Sequence, residues 1–71
     1  MSDGGAIVLL RTTPRRQEVT HVLARMDGVT RVERVQGPYD FVIHAAGRAQ
    51  VEVIERLPGV TAAEVCWLSP R

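Results

Sequence analysis

The chain has 71 residues and a mass of 7.8 kDa, which is one domain and too little chain to bury a large core unaided. Its single cysteine, Cys66, excludes an internal disulfide, and together with His21 and His44 it shows no metal-ligand spacing. Nine arginines, no lysine and eight carboxylates leave a net charge of +1 with no basic stripe, and Tyr39, Phe41 and Trp67 are too few aromatics for a base-stacking platform, so direct nucleic-acid binding is not expected.

Residues 1–5, Met-Ser-Asp-Gly-Gly, read as a flexible polar lead-in, and residues 6–71 as a single domain. Ala6 to Thr12 has strand length and opens with a continuous apolar run. That run, Ala6 to Leu10, is too short for a signal-peptide core or a membrane span, so a cytoplasmic protein with a reduced thiol and no membrane partner is expected. Thr13-Pro14 joins an N-cap residue to a first-turn proline and predicts a helix start. Val19, Val22, Leu23 and Met26 then recur at i, i+3, i+4 and i+7 as its inward stripe, and Asp27-Gly28 ends it. Val29 to Val35 has strand propensity. Gly37-Pro38-Tyr39-Asp40 is a turn, and Phe41 to Ala46 is a third strand, so the two strands are expected to form an antiparallel hairpin. A shorter helix runs from about Arg48 to Leu57, with Val53, Ile54 and Leu57 inward. Pro58-Gly59 stops it, and Val60 to Leu68 is the fourth strand.

The order is βαββαβ, with a weak internal echo between Met26-Asp27-Gly28-Val29-Thr30 and Leu57-Pro58-Gly59-Val60-Thr61. Two β-α-β halves joined by a hairpin predict an α+β, ferredoxin-like fold: a four-stranded antiparallel sheet with both helices on one face. A monomer would then need polar residues on the other face. Ile7, Val8, Leu9 and Leu10 are instead apolar on both sides of the pleat, as are Phe41, Val42 and Ile43. A homodimer packed through the open sheet face is expected.

The segments Ala6-Ile7-Val8-Leu9-Leu10, Asp27-Gly28-Val29, Val35 to Ile43 with Gly37-Pro38-Tyr39-Asp40 at its centre, and Leu57-Pro58-Gly59-Val60 resemble the effector-binding (RAM) domain of the Lrp/AsnC regulators. The resemblance runs from about Ala6 to Leu68, and its most specific piece is the turn followed by an apolar strand. It implies dimers built on open sheet faces, assembly into a higher oligomer such as an octamer, and binding of an amino acid or related metabolite in a regulatory role. Only five residues precede the first strand, which resembles the stand-alone form without a DNA-binding helix-turn-helix, acting through co-assembly with an Lrp/AsnC-type regulator. The family's last strand often carries threonines shortly after its Gly-Val. Here Ala63 and Val65 stand in those positions, with Thr61 and Glu64 nearby.

The candidate ligand-binding residues are Gly37, Pro38, Tyr39 and Asp40. In that reading the Asp40 carboxylate receives a ligand ammonium and backbone N–H groups near Gly37 meet the ligand carboxylate; the competing reading is a turn-capping aspartate. Tyr39 walls a pocket, hydrogen-bonds across a subunit contact, or is equally well a partly buried structural tyrosine. His44 reads as a hydrogen-bonded interface histidine without a switch role in preference to a pH-sensitive interface group, Cys66 as a small strand residue, Trp67 as an interface anchor or an edge of the core, and Arg15 and Arg16 as first-turn cations placed against the helix dipole. No phosphate loop, metal cluster, or nucleophile with a nearby base is present, so neither catalysis nor a cofactor is expected. The alternatives are a small dimeric α+β barrel enzyme, of monooxygenase or isomerase type, and an ACT-like regulatory module; the second would want a glycine between the first strand and helix, where Arg11-Thr12-Thr13-Pro14-Arg15 has none.

Overall fold

A computed structural model describes residues 5–14 and 16–68. The lead-in up to Gly4, Arg15, the side chains of Arg16 and Gln17, and the tail from Ser69 lie outside the described residues. The elements are β1 (Ala6–Thr12), α1 (Arg16–Arg25), β2 (Val29–Arg34), β3 (Phe41–Ala45), α2 (Arg48–Glu55) and β4 (Val60–Trp67). They form one antiparallel sheet in the order β2-β3-β1-β4, the ferredoxin-like arrangement expected from the βαββαβ order. The two most apolar strands, β1 and β3, therefore occupy the centre.

Alternation along these central strands decides what is buried. Ala6, Val8 and Leu10 of β1 and Phe41, Ile43 and Ala45 of β3 join Val19 and Leu23 of α1 and Val51 and Ile54 of α2 in a single core. Both helices thus cover the same sheet face. Phe41, Leu10, Leu23, Ile43, Ile54 and Val8 are fully enclosed, each contributing about 1.5–3 kcal/mol of transfer free energy. Met26, Val29, Val32, Leu57, Val60, Ala63 and Val65 pack around this cluster and close its margins.

Two inward assignments are corrected. Val53 is 49% exposed, and its place in the core is taken by Val51, which lies one turn before Ile54. Val22 is 43% exposed on the outer side of α1, whereas Val19 and Leu23 are buried. In addition α1 begins at Arg16, so Thr13 and Pro14 precede it as a connector, with the Thr13 N–H donating to the Gly59 carbonyl at 2.8 Å.

The internal echo has a structural counterpart. Gly28 and Gly59 both adopt positive φ, 86° and 93°, conformations that L side chains rarely take. Each turns a helix end into a strand, with Val29 N–H bonded to Met26 and Val60 N–H bonded to Leu57. Each glycine carbonyl then accepts from the residue leaving the opposite central strand: Ala46 N–H to Gly28 at 2.6 Å, and Thr13 N–H to Gly59 at 2.8 Å. The two β-α-β halves are cross-locked by equivalent bonds.

Candidate functional site

Strand register lays out the sheet face that the helices leave uncovered. In one row across the sheet, Arg31, His44, Ile7 and Cys66 stand side by side; in the next, Glu33, Val42, Leu9 and Glu64 do so. Arg11 of β1 lies one step further, opposite Ala62. Ile7, Leu9, Val42 and His44 are half-buried, while Arg31, Glu64 and Cys66 at the margins are exposed. The face therefore has an apolar centre between two charged edges. Arg31 and Glu33 form an ion pair of 2.7 Å on the β2 edge.

The β2–β3 turn brings the candidate residues to the far end of this face. Gly37 holds φ of 133°, and among the described residues no atom beyond its own chain neighbours lies within 4 Å of where a side chain would begin, so the backbone there is open to approach. The Pro38 carbonyl accepts from Arg11 Nε at 2.8 Å. Tyr39 lies across the sheet, with its hydroxyl donating to Glu64 Oε1 at 2.7 Å and the Arg11 guanidinium 5.7 Å from its ring centre. The hydrogen bond to the Glu64 carboxylate raises the Tyr39 pKa, burial and the negative charge of Glu64 act the same way, and Arg11 opposes them.

Asp40 ties the turn to the sheet from inside. Its Oδ2 accepts the Thr12 N–H at 2.9 Å, its own N–H donates to the Leu10 carbonyl at 2.7 Å, and its carbonyl accepts from Val35. Thr12 sits where the β1–β4 register shifts, beyond the last pairing of β1 with β3. The Asp40 carboxylate there meets a strand N–H that would otherwise lack a partner.

The four candidate residues are thus contiguous, but their partners come from β1 and β4. Arg11 and Glu64 complete the cluster; the sequence pattern sets Glu64 only near the ligand positions of the last strand and gives Arg11 no site role. The signal for them lies in the sheet order: once β1 runs between β3 and β4, Leu9 separates Val42 from Glu64, and Arg11 follows on the same face. Ala63 and Val65, expected at ligand positions of the last strand, pack against the core on the helix side. Thr61 Oγ1 donates to the Arg11 carbonyl at 3.1 Å. Trp67 is 49% exposed at the end of β4, with the Arg48 guanidinium 5.1 Å from its ring centre. A separate cleft of about 150 Å³, lined by Glu18, Val19, Val22, Leu57 and Pro58, lies on the helix side. Among the described residues no group of histidine, cysteine, aspartate and glutamate could hold a metal ion, and no helix is long and apolar enough to cross a membrane.

No family model matches the sequence, and no curated protein matches it. Solved structures do. TTHA0845 from Thermus thermophilus is similar with a TM-score of 0.80 and 27% identity, over 94% of each chain. PH0061 gives 0.79 at 19% identity over 94% of this chain, which spans only 52% of that longer protein. FFRP-DM1 gives 0.77 at 18% identity over 92% of this chain and 97% of its own. At 18–19% identity the latter two bear on fold alone, and TTHA0845 matches the ferredoxin-like βαββαβ arrangement over nearly the whole of both chains.

Proposed function

We propose that this chain is a small ligand-binding domain with a regulatory role, working as a homodimer through its open sheet face and binding an amino acid or related metabolite at the Gly37–Asp40 turn. The observation that carries the reading is the apolar centre of Ile7, Leu9 and Val42 on a face that no element among the described residues covers. Its edges hold two arginines, Arg11 and Arg31, and two glutamates, Glu33 and Glu64. A balanced rim of this kind suits a second copy of the same surface better than a strongly charged partner. Half-buried aliphatic side chains at the centre supply the driving force for association.

The turn fits a small polar ligand for a separate reason. Space around Gly37 lets a ligand reach backbone N–H groups, and Asp40, Tyr39, Glu64 and Arg11 place both signs of charge nearby. An ammonium would share the Asp40 carboxylate with the Thr12 N–H. Binding without catalysis, assembly of dimers into a larger ring such as an octamer, co-assembly with an Lrp/AsnC-type regulator and a cytoplasmic setting belong to the same proposal.

Two measurements test it. Sedimentation equilibrium at micromolar concentration should give a dimer or larger, and a monomer would overturn the face-to-face reading. A thermal-shift screen against the amino acids should return a selective hit, worth ~2.7 kcal/mol at about 100 times the dissociation constant. Loss of that hit in Asp40→Asn, with folding intact, assigns the ligand to the turn; no shift across the panel removes the ligand from the proposal.

A further inference from the structure

We propose that His44 makes self-association pH-sensitive, the dimer being stable when the imidazole is neutral and weakening as it protonates. This rests on the open face being the contact between two copies. His44 stands in that face between Arg31 on β2 and Ile7 on β1, directly opposite both in register. It is half-buried already in the single chain, and a second copy would enclose it further.

The charged and titratable groups around it come from three strands. From β2 comes Arg31, a permanent cation at the adjacent position, and Glu33 one row along, whose carboxylate is held by Arg31 at 2.7 Å. From β1 come Ile7 and Leu9, with Arg11 beyond them. From β4, one strand further, come Cys66 and Glu64, and Glu64 already accepts the Tyr39 hydroxyl. The neighbour on its own strand is Val42, and α2 packs against the opposite face of β3. A second copy brings the same set, with both its carboxylates engaged in the same way. Among the described residues no carboxylate is bonded to the imidazole. Closing an apolar contact over a cation that lacks a counter-charge is costly, whereas a neutral imidazole is tolerated.

The sign follows from linkage. The dimer selects the deprotonated state, so association is full at high pH and is lost as pH falls through the range where histidine titrates. With two imidazoles per dimer excluded as cations from the contact, acidification from about pH 8 to about pH 5.5 raises the dissociation constant by roughly one to two orders of magnitude. The experiment is sedimentation equilibrium of the full chain between about pH 8 and pH 5.5 at constant ionic strength, on wild type, His44→Gln and Leu9→Glu. Expected are a wild-type dimer that weakens by one to two orders of magnitude on acidification, a His44→Gln dimer with a flat profile, and a monomeric Leu9→Glu protein. A wild-type dimer indifferent to pH, or a His44→Gln protein that follows the wild-type curve, overturns the switch and leaves the dimer standing. A wild-type monomer at every pH, or a Leu9→Glu protein still dimeric, overturns the open-face reading and the switch with it.

Discussion

The two faces of the sheet are made by alternate residues of the same strands, yet they differ in kind. On the helix side Val8, Leu10, Phe41 and Ile43 are sealed from water by α1 and α2. On the other side Ile7, Leu9 and Val42 are equally apolar but only half-buried, and His44, Arg11, Arg31, Glu33 and Glu64 stand among them. The difference teaches that hydrophobicity alone does not tell the enclosed side of a sheet from its open side; the charged rim and the lack of a covering element among the described residues do.

Truncation sharpens that contrast most. Leu10→Ala should cost about 2–5 kcal/mol of unfolding free energy, through lost transfer and an unfilled cavity, read from the urea midpoint. At a concentration low enough to hold the monomer, Leu9→Ala on the same strand should cost well under that, because Leu9 keeps solvent contact. Equal losses would break the comparison.

Asp40→Ala comes next, with about 1–3 kcal/mol, since it strands the Thr12 N–H at the register shift. Gly59→Ala should cost about 1–2 kcal/mol: φ of 93° is strained for any side chain, and the new methyl would approach Val19 Cγ2 at 3.3 Å on the helix side. A Gly47→Ala control at an ordinary backbone angle, with its nearest atom at 3.6 Å, carries no such strain and should cost less, about 0.5–1 kcal/mol from the poorer N-cap of α2.

The smallest effect belongs to the open face. Tyr39 has a raised folded-state pKa, so the stability it contributes is present at neutral pH and is lost as pH rises through that pKa. Glu64→Ala removes the main cause, the acceptor of the Tyr39 hydroxyl, and ultraviolet absorbance should then show Tyr39 ionising at lower pH than in the wild type. Its cost in stability should be slight, as expected for an exposed pair.

The architecture was legible in the amino-acid pattern because its signals are local. Glycines at helix exits, a proline-bearing turn and two-sided apolar strands each depend on a few adjacent residues, and together they leave one simple topology. Val53 was misplaced because α2 is only eight residues long, and Val51, Val53 and Ile54 offer two competing stripes. In so short a helix, packing against β1 and β3 makes the choice. The site was half legible. Gly37 to Asp40 announced a turn, but the hydrogen bond of Asp40 to Thr12 spans 28 residues and that of Tyr39 to Glu64 spans 25. Such pairs exist only once the strand order and register are set, so neighbouring residues carry no trace of them.

The Leu68 N–H donates to the Gly5 carbonyl at 2.9 Å, which places the two ends of the described chain side by side where β1 and β4 meet. A tensile load applied through those ends would act across the β1–β4 ladder, not along it. The hydrogen bonds would then break one after another from the Gly5–Leu68 end, as in a zipper, and would not share the load in shear. Because β1 is a central strand, that peeling would open the core early, so the domain should yield at low force although its packed side is dense.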